Sequence, residues 1–331
     1  MKAKKILAED DELRDLRDLV KSQEKTIAEY ARQIEDARRA KFTIPKGRRA
    51  KSSKADFLRV VFGDSHGCHI DKPAAAALLS DLEKLKPREV VLLGDHLDCS
   101  GFLATHHVLS FTTQTLYTWE EDVAATNDFL SRIQAATPGA RYHYLEGNHE
   151  NRVERHLCTW ALKSGAPDPY REAEHMRTLY DPAVVLDLEA RKIPYYRLSE
   201  TYPGEDGSPM ALPSVIRLGK CHFFHGVGVA SGANPAKKVL DRMSANCVFG
   251  HVHRIDSHTT RTLGGGIKSA WCPGALCELQ PLYATARSGL TSWAHGYGLQ
   301  LVRASTGDFL HINVPIIEGV SYLQGLADRL R

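Results

Sequence analysis

"YLEGNHENR", residues 144–152, is the stretch on which the reading of the whole chain turns. Its aromatic and apolar start, up to Leu145, has the makeup of a buried strand, and Gly147 then permits a tight turn. Asn148, His149 and Glu150 follow at once, where a helix-like pattern opens. An amide, an imidazole and a carboxylate contribute nothing to an apolar core. They suit the carboxyl end of a strand in an α/β sheet, where functional groups from distant segments converge.

Working outward, the same grammar recurs four more times. "FGDSHG" carries Asp64 and His66, and "LLGDHLD" carries Asp95 and Asp98. "FFHG" carries His225, and "FGHVH" carries His251 and His253. Each follows an apolar run and has a glycine beside the polar residue. One such block alone reads as a capped turn or a hydrogen-bonded histidine. Five in order read as one metal site assembled from five strand ends.

The intervening segments predict the frame. "FLRVVFG", "REVVLLG" and "RYHYLEG" are strand-like, and "KPAAAALLSDLEKL" and "WEEDVAATNDFLSRIQAA" between them are helix-like. This βαβαβ opening implies parallel strands with helical crossovers. In the second half, "SVIRLG", "CHFFHG", "NCVFGHVH", "DSHTTRTL", "LQLVRA" and "FLHINV" read as strands, with one helix near 234–244. They suggest a mixed second sheet packed on the first, an α/β architecture. Residues 155–212 lack clear periodicity and are expected to form an insertion beside the sheets.

Residues 1–40 form a separate segment. Leu13, Leu16, Val20, Ile27, Tyr30, Ile34 and Ala37, with Gln23 in the remaining slot, make a heptad stripe. The stripe reads either as a coiled coil that makes a homo-oligomer through residues 6–37, or as an amphipathic helix lying on its own domain. Residues 41–56 read as a linker. The tract 38–54 carries eight Lys or Arg and no acid. It suits contact with nucleic-acid phosphates or a solvated tether. The remaining domain is expected over 57–331.

Composition sets wide bounds: 331 residues, 43% hydrophobic, 25% charged and a net charge of +3 fit an ordinary globular chain. No apolar run reaches the roughly 18 residues of a membrane span, so no membrane partner is expected. The charged N-terminus has no signal-peptide core, and the seven cysteines lack framework spacing. A cytoplasmic protein with reduced thiols is the expectation.

The five blocks resemble the signature of the calcineurin-like metallophosphoesterase superfamily: D-x-H, GD-x-x-D, GNH-[DE], a lone His, and GH-x-H. The resemblance covers roughly residues 57–315. It implies a four-layer αββα sandwich of two mixed sheets with two divalent ions along one edge. Carried over block by block, Asp64, His66 and His253 would hold one ion, and Asn148, His225 and His251 the other, with Asp95 bridging. His149 would donate a proton to the leaving oxygen, oriented by Asp98. Arg152 would either clamp a phosphate oxygen or pair with Glu150, itself read as favouring a helix N-terminus.

Mixed carboxylate, imidazole and amide donors suit Mn²⁺, with Fe²⁺, Zn²⁺ or Ni²⁺ as alternatives, better than Mg²⁺. Ser/Thr phosphatases of the superfamily continue GD-x-x-D with Arg-Gly and lack the second histidine of GH-x-H. Here "GDHLDCSG" has no such arginine and His253 is present. The likeness is therefore to phosphodiesterase and nuclease-like branches, and the tail "WCPGALCELQPLY…SWAHGYGLQLV" is similar to phosphoesterases of phage and bacterial genomes. A phosphodiester in nucleic acid or a nucleotide is the expected substrate. The alternatives are a small-molecule phosphomonoester, or a non-catalytic protein-binding scaffold on the same fold.

Overall fold

The computed structural model describes residues 56–99, 118–165, 167–204, 207, 212–226, 228, 232–263, 266–281 and 291–323, together with 21, 22, 25, 28 and 32. The chain divides into two units, 1–51 and 52–331. In the first, Lys21, Lys25, Ala28 and Arg32 are helical and exposed, spaced so that they share one face. The heptad positions and the 38–54 tract lie outside the described residues.

In the second unit, β1 (Phe57–Phe62) sends alternate side chains to different cores. Val60 and Phe62 pack toward a helical layer, while Val61 faces the second sheet. β2 (Glu89–Leu92) does the same, with Val90 and Leu92 on one side and Val91 on the other. Apolar side chains on both faces are what a parallel strand covered on both sides requires. The covering helices are α1 (Lys72–Leu85) and α2 (Trp119–Ala136), and β3 (Arg141–Leu145) completes the βαβαβ unit. Asp71 caps α1 by accepting the Ala74 N–H at 2.8 Å.

After β3 come α3 (Arg152–Lys163), α4 (Pro169–Tyr180), α5 (Pro182–Val185) and β4 (Tyr195–Tyr196). Part of the stretch expected as an insertion, 155–212, joins the first sheet. β4 pairs in parallel with β3 and extends the first sheet, while α4 sets Ala173 and half-buried Met176 and Tyr180 against the core.

The remaining elements are β5 (Ile216–Leu218), β6 (Cys221–Phe224), α6 (Pro235–Met243), β7 (Cys247–Phe249), β8 (Ile255–Arg261), β9 (Ile267–Pro273), β10 (Gly296–Val302), β11 (Phe309–Ile317) and β12 (Val320–Ser321). They do not all join the second sheet. β10 pairs antiparallel with β1, giving a mixed sheet in the order β12-β11-β10-β1-β2-β3-β4. The second, also mixed, runs β5-β6-β7-β9-β8. Val61, Val91, Leu93 and Leu145 meet Ile216, Leu218, Phe223 and Val248 between the sheets. On the outer side of the second sheet, Val239 and Leu240 of α6 pack on Cys247, Phe249 and Cys272. The result is a sandwich of two sheets with helices outside each.

Register places the functional loops together. Phe62, Leu92 and Tyr144 are neighbours across β1, β2 and β3, so "GDSHG", "GDHLD" and "GNHE" leave the sheet at one rim. Phe224 pairs with Phe249, so His225 and His251 leave the second sheet side by side. All seven cysteines are free, and among the described residues no helix is long and apolar enough to cross a membrane.

Candidate metal centre

The rim loops are forced into conformations that ordinary residues avoid. Asp64, His66, Asp95, His251 and His253 all have positive φ, between 51° and 72°. Each such residue costs on the order of 1–3 kcal/mol, and such strain gathers at functional sites. Glycines make the approach feasible. A Cβ on Gly147 would lie 2.1 Å from Asp95 Oδ1, and one on Gly250 would lie 2.6 Å from Asp64 Oδ2.

Two groups of side chains converge there. In the first, His253 Nε2 lies 3.2 Å from Asp64 Oδ1 and 3.1 Å from His66 Nε2. His66 donates its Nδ1–H to Asp98 Oδ1 at 2.8 Å, so its Nε2 carries a lone pair. In the second, His225 Nε2 lies 3.1 Å from Asp95 Oδ2 and 3.0 Å from Asn148 Oδ1. His225 donates Nδ1–H to the Leu93 carbonyl at 2.8 Å, which leaves Nε2 as the ring atom that faces the two oxygen acceptors. His251 joins this group, its ring 5.2 Å from that of His225, and its backbone N–H donates to Asp64.

Ligand atoms fall into three overlapping clusters, each within 4.8 Å: His66–His253–Cys277, His66–Asp95–His149 and Asp95–His225–His251. All seven sequence-derived candidates thus meet at one rim. Carboxylate, amide and imidazole donor atoms gathered this closely in a buried rim fit a divalent metal.

The electrostatics agree. Burial disfavours charge on His225, but the Asp95 carboxylate more than offsets it and pushes the pKa up to about 9. Burial likewise opposes the Asp95 charge, and His225 and His149 outweigh it, holding that carboxyl well below the ordinary range. At His66 and His251 burial wins: with neighbouring histidines it outweighs Asp98 at the first and Asp95 and Asp64 at the second, and pulls each down to about 4. At His149, Asp95 and Asp98 outweigh burial and raise the pKa.

His149 is positioned by Asp98. Its Nδ1 lies 2.8 Å from the Asp98 carbonyl and 2.9 Å from Asp98 Oδ1, and its Nε2 lies 3.9 Å from Asp95 Oδ2. Asp98 is itself set by Asp122, whose carboxylate accepts the N–H groups of Asp98 at 3.2 Å and Cys99 at 2.7 Å.

Two sequence readings change. Arg152 does not pair with Glu150. It is buried, donating from one guanidinium nitrogen to the Asp98 carbonyl at 2.8 Å and from the other to His149 Nε2 at 3.0 Å. Glu150, rather than charging a helix end, accepts the N–H groups of Asp95, His96, Leu97 and Gly147 and the Tyr144 hydroxyl, all within 3.0 Å. It ties the "GDHLD" loop to the "GNHE" turn.

Sequence reasoning missed Cys277. Its Sγ lies 3.8 Å from His253 Nδ1, behind the nitrogen that faces Asp64. It missed as well the brace across the first two loops, where Ser65 Oγ meets His96 Nδ1 at 2.8 Å. Neither had a signal, since one sulfur and one hydroxyl carry no spacing. Of the unassigned histidines, His69 is buried with Nε2 3.8 Å from Asp98 Oδ2, and His295 donates to the Cys277 carbonyl at 2.8 Å. His106 and His107 lie outside the described residues.

No family profile matches the sequence, and no curated protein is similar to it in sequence. Solved structures similar to the chain include a single mutant of Vps29 from Entamoeba histolytica, 12% identical with a TM-score of 0.38, covering 80% of this chain and 95% of that one. Another is a conserved uncharacterized protein of Streptococcus pneumoniae described as a predicted phosphoesterase, 13% identical with a TM-score of 0.30, covering 81% and 97%. A third is the phosphoesterase Yfce of E. coli, 11% identical with a TM-score of 0.31, covering 77% and 98%. Likeness this distant carries no chemistry over, so the case for function rests on the chain's own side chains.

Proposed function

We propose that this chain is a divalent-metal-dependent phosphoester hydrolase acting on phosphodiesters of nucleic acid or nucleotides in preference to protein phosphomonoesters. The observation that carries the metal part is His225 Nε2, which faces Asp95 Oδ2 and Asn148 Oδ1 while Nδ1–H is committed to Leu93. Asp64, His66 and His253 would hold one ion and Asn148, His225 and His251 a second, with Asp95 shared; Mn²⁺ suits the donors. Ions in these positions would activate water for in-line attack and offset charge growing on the phosphoryl oxygens.

The chain's own residues do the rest. Asp98 fixes the His149 tautomer, so Nε2 is the atom from which a proton passes to the leaving oxygen. Arg152 meets that nitrogen in this structure, and a proton on Nε2 would turn the contact into two opposed donors. The guanidinium is then released toward a phosphoryl oxygen of the ester. The missing arginine after "GDHLD" and the presence of His253, read through the resemblance to calcineurin-like phosphoesterases, support a diester over a phosphoprotein.

Bis-(p-nitrophenyl) phosphate hydrolysis with Mn²⁺ against EDTA tests the reading. Metal-dependent turnover is expected; its absence would leave the non-catalytic scaffold. His149→Ala should retain bound metal and lose turnover about 10²–10⁴-fold on diesters with poor leaving groups, and far less with p-nitrophenolate. Equal losses on both would remove the acid role.

A further inference from the structure

Beside the metal rim lies a cluster of cations that the hydrolytic site does not use. Arg254 follows the ligand candidate His253 directly, is half-buried, and reaches the Gly232 carbonyl with one guanidinium nitrogen at 3.3 Å. Its Nε is buried with no hydrogen-bond partner. Arg242, exposed on α6, reaches the Gly228 carbonyl at 3.5 Å, three residues beyond the ligand candidate His225. Lys238, one turn earlier on α6, brings its ammonium so close to Gly232 that a Cβ there would lie 3.1 Å from Nζ. Lys238 and Arg254 thus meet at Gly232, and Arg242 reaches Gly228, both a few residues beyond the ligand candidate His225.

Among the described residues, none of the three has a carboxylate within ion-pair distance. The nearby acids are engaged: Asp256 accepts the N–H groups of Ala236 and Ser257 at 2.9 and 2.8 Å, and Asp241 holds Lys237 at 2.6 Å. Main-chain carbonyls are neutral partners, so they orient the guanidinium groups and leave their charge uncancelled. Oriented guanidinium groups beside an ammonium match the oxygens of a phosphate.

We propose that Lys238, Arg242 and Arg254 form a shelf that binds a backbone phosphate of a polynucleotide strand next to the phosphate seated at the metal ligands. The inference rests on the hydrolase reading and narrows its substrate class. A small diester has no second phosphate to place there. A strand does, and it would be held at the scissile phosphate and at the phosphate next to it.

The test is fluorescence-anisotropy binding of a labelled single-stranded oligothymidylate, over a series of salt concentrations and in EDTA, so that the strand stays intact. Wild-type affinity should fall with salt, and K238A/R242A/R254A should lower the log–log slope by about 0.7, the value for one phosphate contact on a single strand. Its affinity at low salt should drop at least about 10-fold. The charge-matched variant K72A/K84A/R132A, on the opposite helical layer, should keep the wild-type slope. An unchanged slope in the shelf variant, or an equal loss in the control, overturns the proposal. Should the triple variant fail to fold, the exposed single changes Lys238→Gln and Arg242→Gln serve, each expected to weaken low-salt binding and to lower the slope by part of that roughly 0.7, and no change in either overturns the proposal. Metal-dependent hydrolysis of the small diester is read separately. Its failure with the slope change intact would remove the hydrolase and leave the shelf; the reverse would remove the shelf alone.

Discussion

Individual side chains at this site matter through what stands behind them. Cys277 backs His253 as the Leu93 carbonyl backs His225, and such partners orient a ligating ring. Cys277→Ser should weaken the tighter-bound Co²⁺ by about 10–100-fold, followed by the visible spectrum of the cobalt-loaded protein; unchanged affinity would make the sulfur mere packing. Away from the metal, His311 is buried against Trp271, with Gln300 donating to Nδ1 and Nε2–H donating to Asn313. Burial pulls its pKa down to about 4. The folded state therefore refuses a proton that the unfolded chain accepts near 6.5, so the stabilisation is present above 6.5 and is lost as pH falls toward 4. Between pH 7.5 and 5, urea unfolding of the wild type should lose about 2 kcal/mol more than that of His311→Gln. His311 stood out as nothing but a strand residue in the sequence, because burial between sheets has no local signature.

At the scale of elements, the site depends on how tightly the turns leaving β2, β3 and β7 can approach the ligands. Gly250 leaves the room that Asp64 Oδ2 occupies, and any side chain there must push the carboxylate off its place. Gly250→Ala is expected to destabilise the protein by about 1–3 kcal/mol and to weaken metal binding more than it weakens the fold. Calorimetric metal titration beside thermal unfolding reads both; a loss in unfolding alone would show that Asp64 is not part of the site. These turns were legible beforehand, since apolar run, glycine and polar residue repeat in order. The helices after β3 were not. α4 sets only Ala173 and half-buried Met176 and Tyr180 on the core, a stripe too thin to stand out in a polar segment.

For the molecule as a whole, the two sheets bring residues from 64 to 253 to one rim, and a bound cation would tie them together. Metal should therefore stabilise the fold by about 2.7 kcal/mol at a hundredfold excess over Kd. His225, holding a proton near Asp95 without metal, should release it on binding. Titration of Mn²⁺ in two buffers of different ionisation enthalpy would detect that proton, and its absence would place the ion away from His225.

The sequence by itself determined the βαβαβ unit and the five turns that carry the candidate ligands. Strand periodicity, helix periodicity and glycine turns are local, and each is written within a few residues. Only the tertiary structure decided that β10 and β11 lie beside β1 and not in the second sheet, and that Glu150 braces two loops. It likewise decided that Arg152 rests on His149 and that Cys277 stands behind His253. Those outcomes depend on pairing across long stretches of chain and on which donor a buried acceptor finds, and neither leaves a mark in the spacing of residues.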